Sequence, residues 1–132
     1  MNTIYKCFGV VLQDEELIPD KVKGFVSDLF GKEVSVEIGY RNAKMRRLID
    51  SGVVWTVYNE HADTQPTLFG LVLGSYYVNM RGVQRLVGGC PHELSYDDLQ
   101  CIEKWESGPA APHLKLLAKH GLELQICWLV GD

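Results

Sequence analysis

Between Pro19 and Tyr40 the hydrophobic period changes half-way, and that change limits the possible folds more than anything else in the chain. Val22, Phe25, Val26, Leu29 and Phe30 stand at i, i+3, i+4, i+7 and i+8, which places them on one face of a helix. Gly31 follows, where a left-handed residue usually ends such a helix. From there Val34, Val36, Ile38 and Tyr40 alternate with Glu33, Ser35, Glu37 and Gly39, the period of a strand with one buried face. A helix with one apolar stripe that feeds a strand with one apolar face must cover a sheet, so the unit predicts an α+β domain.

The other segments fill in that plan. Thr3 to Leu12 is dense in Ile, Tyr, Phe and Val and reads as a central strand buried on both faces, with Gly9 marking a bulge or a close backbone approach. Asn42 to Asp50 reads as a short helix that buries Met45, Leu48 and Ile49, and Val53 to Tyr58 as a third strand. Leu68 to Val78 and Val83 to Val87 read as a hairpin turning at Asn79 to Gly82. Ser95 opens a helix with Asp98 in the capping-box position, and Leu99, Cys101, Ile102 and Trp105 are expected to carry it inward. A last helix stops at Gly121, and Leu122 to Val130 is expected to form a central apolar strand. The expected architecture is a single α+β domain over residues 1–132. It has a mostly antiparallel five- to six-stranded sheet and three to four helices packed chiefly on one face.

A chain of 132 residues is long enough to bury one proper core, and an apolar fraction of 46% with 23% charged residues is that of an ordinary globular protein. No apolar run approaches the length of a bilayer span, and no secretory h-region is visible, so a cytoplasmic protein without membrane contact is expected. The net charge of −4 disfavours a general nucleic-acid binder.

Candidate chemistry is sparse. Cys90, His92 and Glu93 lie within four residues of each other, but side chains at i and i+2 diverge on an extended chain. Catalytic Cys and His normally come from distant positions. No Cys-x-x-Cys or His-x₃-His pair announces a metal site. Arg81 to Gly89 carries two arginines and ends in two glycines, but Pro91 follows shortly and donates no N–H to a phosphate. No catalytic residue, metal or cofactor is therefore expected.

Surface recognition remains. Arg41, Lys44, Arg46 and Arg47 form a basic cluster suited to an acidic partner, or simply to a solvated helix face. Asp14, Glu15 and Glu16, Asp97 with Asp98, and Glu103 to Glu106 form acidic clusters of the kind that cover basic active sites. Tyr58, Tyr76 and Tyr77 are aromatic contact candidates, because adjacent strand residues face opposite sides and one of Tyr76 and Tyr77 should point outward.

The ending from Pro112 through His113, Leu114, Leu116, Leu117, Gly121 and Leu122 to Ile126 is a helix with a glycine stop leading into a strand. It resembles the close of small bacterial α+β immunity-type proteins. The resemblance implies a small protein that binds and neutralises another protein. The expected function is thus a non-enzymatic protein-binding module, an immunity or anti-defence inhibitor of bacterial or phage type that occludes its partner's active site. The alternative is a small enzyme or ligand-binding domain with a groove near Tyr76, Arg81, Cys90 and His92.

Overall fold

The computed structural model describes residues 2–12, 20–30, 43–56, 67–78, 84–87 and 92–131. These form β1 (Asn2–Leu12), α1 (Asp20–Phe30), α2 (Ala43–Asp50), β2 (Val54–Thr56), β3 (Thr67–Val78), β4 (Gln84–Val87), α3 (Tyr96–Ser107), α4 (Ala111–Lys119) and β5 (Gln125–Gly131). The expected strand from Glu33 to Tyr40 and its preceding Gly31 lie outside the described residues. So do Tyr58 and the turn at Asn79 to Gly82.

Every described strand pair is antiparallel. β1 occupies the interior as its composition predicts, with β3 along one edge and β5 along the other. β2 pairs with the start of β3 at Phe69 and β4 with its end at Tyr76, so both share the edge of β3 that β1 leaves open. This corrects the expected five- to six-stranded sheet. Among the described residues the sheet is four strands across, because β4 pairs with a stretch of β3 that the short β2 does not reach. The α+β class holds. β5 also departs from expectation. Among the described residues it is the outer strand beyond β1, although its apolar sequence predicts a central place.

The two faces of the sheet are unequal. All four described helices send side chains into one cluster, built on Leu12, Phe69 and Val54 from the strands and Phe25, Met45, Trp105 and Leu117 from the helices. Phe25 meets Phe69 edge-on at 5.2 Å, and Phe69 meets Trp105 at 5.5 Å, so one aromatic column joins α1, β3 and α3. Trp105 also donates its indole N–H to the Gly52 carbonyl at 2.8 Å, tying α3 to the exit of α2. On the opposite face a smaller cluster gathers Cys7, Leu68 and Leu129 with Tyr5, Val11, Trp55, Val72 and Cys127 around them.

At one point β1 and β3 approach more closely than side chains permit. Gly9 pairs with Gly70. A Cβ on Gly9 would stand 2.1 Å from the Phe69 carbonyl oxygen, and one on Gly70 would stand 2.2 Å from that of Phe8. The close-approach reading of Gly9 is therefore the correct one. The register slip in this pair falls elsewhere, between Lys6 and Cys7.

At the far end of the helical layer, α4 is fastened to α1. Asp28 Oδ2 lies 2.6 Å from His120 Nε2 and 3.4 Å from Lys119 Nζ. The His120 contact, with the lysine beside it, holds the Asp28 carboxyl below the usual carboxylate range.

Candidate functional site: the outer face of α3

α3 starts as its sequence requires. The Ser95 hydroxyl accepts from the Asp98 amide at 3.1 Å and the Asp98 carboxylate accepts from the Ser95 amide at 3.0 Å, a reciprocal capping box. The Asp98 side chain has a second task. Lys6, in the middle of β1, projects to the helical face of the sheet and donates to Asp98 Oδ2 at 3.0 Å and to the Glu93 carbonyl. Both charged side chains are buried, Lys6 at 1% exposure and Asp98 at 8%. Burial pushes the Asp98 carboxyl up, but the Ser95 amide and the Lys6 ammonium outweigh it and leave it below its usual range.

An ammonium enclosed to this degree has no face left for a substrate. The pair works as an anchor that fixes the first turn of α3 to the sheet, while the Trp105 bond to Gly52 fixes the last. Between these two pins Asp98, Ile102 and Trp105 turn inward. The opposite side of the helix presents Tyr96 at 73% exposure and Leu99 at 50%. Leu99 and Cys101 were expected to point inward, and both are exposed. The Lys6–Asp98 contact accounts for the difference, because it rotates the inward stripe onto Asp98, Ile102 and Trp105. Gln100 donates to the Tyr96 hydroxyl at 2.8 Å and steadies the ring from the next turn. Exposed carboxylates at Asp97 and Glu103 frame the two apolar side chains.

The candidates read from the sequence are scattered relative to this face. Asp97 belongs to it. Lys44 and Arg47 are exposed on α2, with Met45 and Leu48 buried beneath them. Tyr76 is only 6% exposed and lies tilted against Trp128 at 5.4 Å, with His92 edge-on to the same indole at 6.3 Å. Tyr77 stands in β3 opposite Thr3 and Arg85. Asp14, Glu15, Glu16, Arg41, Tyr58, Arg81 and Cys90 lie outside the described residues.

The sequence pattern points to neither Tyr96 nor Lys6, and it turns Leu99 inward. A usable signal existed for Lys6. A charge inside a strand read as buried on both faces requires a counter-charge, and Asp98 sits at a helix start where an acid is already favoured. Among the described residues no group of three or more His, Cys, Asp or Glu side chains is placed to hold a metal ion. No described helix is long and apolar enough to cross a membrane. Comparison of the chain with family models, with curated proteins and with solved structures finds no match.

Proposed function

We propose that this protein is a non-enzymatic protein-binding module of the immunity or anti-defence inhibitor type, which covers a basic active site on its partner with the outer face of α3. The observation that supports this reading is the adjacent exposure of Tyr96 and Leu99 on a helix pinned at both ends. A tyrosine and a leucine on a rigid element offer contact area at little ordering cost, and aromatic anchors carry most of the energy at protein interfaces. The carboxylates at Asp97 and Glu103 suit a basic counterpart and would steer its approach.

The test has two stages. A photo-crosslinking residue substituted for Leu99 in cells of the native host should trap one protein that the same residue at exposed Ser51 does not. That protein, purified, should bind the Tyr96→Ala/Leu99→Ala variant at least about tenfold more weakly than wild type, a loss of about 1.4 kcal/mol or more. Its association rate should fall as salt is raised from low to physiological strength. Equal trapping at both positions, unaltered binding by the double variant, or a salt-independent rate would each remove the reading.

A second reading, a small enzyme or ligand-binding domain, draws on one observation. Tyr76 and His92, two of the four residues named for it, both pack on Trp128, while Arg81 and Cys90 lie outside the described residues. It requires Cys90 to be a low-pKa thiolate. Brief treatment with iodoacetamide at neutral pH should then alkylate Cys90 well ahead of Cys101, an exposed thiol on α3. Equal labelling of the two, or labelling of Cys90 only after denaturation, rejects that alternative.

A further inference from the structure

Cys7 and Cys127 belong to the first and last strands of the described chain, and they face each other directly across the β1–β5 ladder. Directly opposed residues in an antiparallel pair have Cα atoms about 4.5–5.5 Å apart. That spacing falls within the range of about 4.4–6.8 Å across which disulfides form. Alternation along β1 sends Cys7 to the sheet face opposite the helices, where it is fully buried beside Leu68 and Leu129. Cys127 lies at the margin of the same cluster and is partly exposed.

We propose that Cys7 and Cys127 form a reversible cross-strand disulfide on exposure to a hydroperoxide, which makes the β1–β5 seam a site of oxidative modification.

The asymmetry of the two thiols assigns their roles. The Cys7 thiol and the Gly9 amide, both within hydrogen-bonding reach, hold the Cys127 thiol down against the opposing effect of burial. Its Cys127 neighbour and burial push the Cys7 thiol up, and Cys7 Sγ rests 3.5 Å from the Tyr5 carbonyl oxygen. Cys127 is thus the thiol that solvent reaches first and the more readily ionised of the two, and Cys7 is the resolving partner. In the first step the Cys127 thiolate attacks one oxygen of hydrogen peroxide. An S–O bond forms, the O–O bond breaks, and hydroxide leaves and takes up a proton as water, giving a sulfenic acid. In the second step Cys7 sulfur attacks the sulfenic sulfur. The S–S bond forms, the S–O bond breaks, and the departing hydroxide leaves as water with the Cys7 proton. The two thiols together lose two electrons and the peroxide gains them. A thiol such as dithiothreitol reverses the result by exchange.

The bridge would fasten β5, the outer strand, to the interior strand β1 by a covalent bond in addition to its ladder. Cys101, exposed on α3, stands opposite no other cysteine among the described residues.

The experiment uses the wild-type protein and a Cys90→Ser/Cys101→Ser variant that keeps only Cys7 and Cys127. Hydrogen peroxide should abolish both titratable thiols of the variant, remove two hydrogen masses, leave it monomeric on non-reducing gels and link the β1 and β5 tryptic peptides. Dithiothreitol should restore the thiols and the mass and separate the linked peptides. In the oxidised wild type the same linked peptides should be found, and in concentrated urea the linkage should form much more slowly. Addition of oxygen without linkage, persistence of both thiols, a covalent dimer in place of the internal bridge, or linkage as fast in urea as in native buffer would each overturn the proposal.

Discussion

Replacing Lys6 with methionine is expected to destabilise the fold by about 3–5 kcal/mol at neutral pH, a large part of the total stability of a domain this size. Methionine matches the length of the lysine stem but brings no charge and no donors. The Asp98 carboxylate would keep its Ser95 amide and lose its buried counter-ion, while the Glu93 carbonyl would lose its ammonium donor. Urea unfolding monitored through the tryptophans measures the loss. The double variant Lys6→Met/Asp98→Asn removes both charges and leaves an acceptor for the Ser95 amide, so it should recover a substantial part.

The pH dependence of this effect has a definite sign. The folded-state pKa of Asp98 is depressed below its unfolded value, which is about 3.9 for a free aspartate. Its stabilising contribution is therefore fully present above that value and fades as pH falls through the lower, folded one. Below it, wild-type Lys6 becomes a buried cation facing a neutral acid, whereas the methionine variant has no charge to strand. The gap between wild type and Lys6→Met should shrink as pH drops below about 4. Matching urea midpoints at pH 7, or a gap that stays constant into acid, would show that the pair does not act as the anchor of α3.

The second large effect is expected at Gly9. Alanine there places a methyl group 2.1 Å from the Phe69 carbonyl oxygen and 2.8 Å from the Gly70 Cα, both backbone atoms that cannot rotate away. Relief requires β1 and β3 to separate along an otherwise continuous ladder, with Phe69 and its aromatic column moving as well. The loss should lie at or above the upper end of the roughly 1–3 kcal/mol that overpacking usually costs. Gly70→Ala should be at least as harmful, since it meets the Phe8 carbonyl oxygen at 2.2 Å and also holds φ at 154°. By contrast, Gly52→Ala meets no atom within 4 Å and carries only the strain of its φ of 78°. Thermal unfolding of the three variants should rank Gly9 and Gly70 together, well below Gly52. Equal losses for all three would mean that the two strands are not in close contact.

Local periodicity carried the helical half of the fold. The five apolar residues of α1 are all buried, and Met45 and Leu48 of α2 are buried as expected. The capping box at Ser95 forms with the predicted partners. What periodicity cannot supply is which strand lies beside which. The composition of β5, Gln125–Gly131, is as apolar as that of an interior strand, yet the strand lies outermost among the described residues. β2 and β4 look like two strands in sequence and occupy one edge in space. The inward stripe of α3 was misread for a related reason. Leu99 is the stronger hydrophobe, but a lysine from a strand more than ninety residues earlier selects Asp98 as the side that faces the sheet. Tyr96 and Leu99 stand out only once that rotation is known.

Among the described strands β1, interior to the sheet, is also the earliest, and neither of its neighbours comes soon after it. β1 gains one flank only when β3 arrives from the middle of the sequence, and the other only when β5 follows all four helices. During synthesis a strand rich in Ile, Phe and Val must therefore wait with both sets of backbone amides open, first for β3 and then for β5. Such distant pairing slows folding and lengthens the interval in which a nascent chain can pair with the wrong neighbour. Assembly of the sheet is then paced by the arrival of its latest strand, whatever the speed at which the helices form.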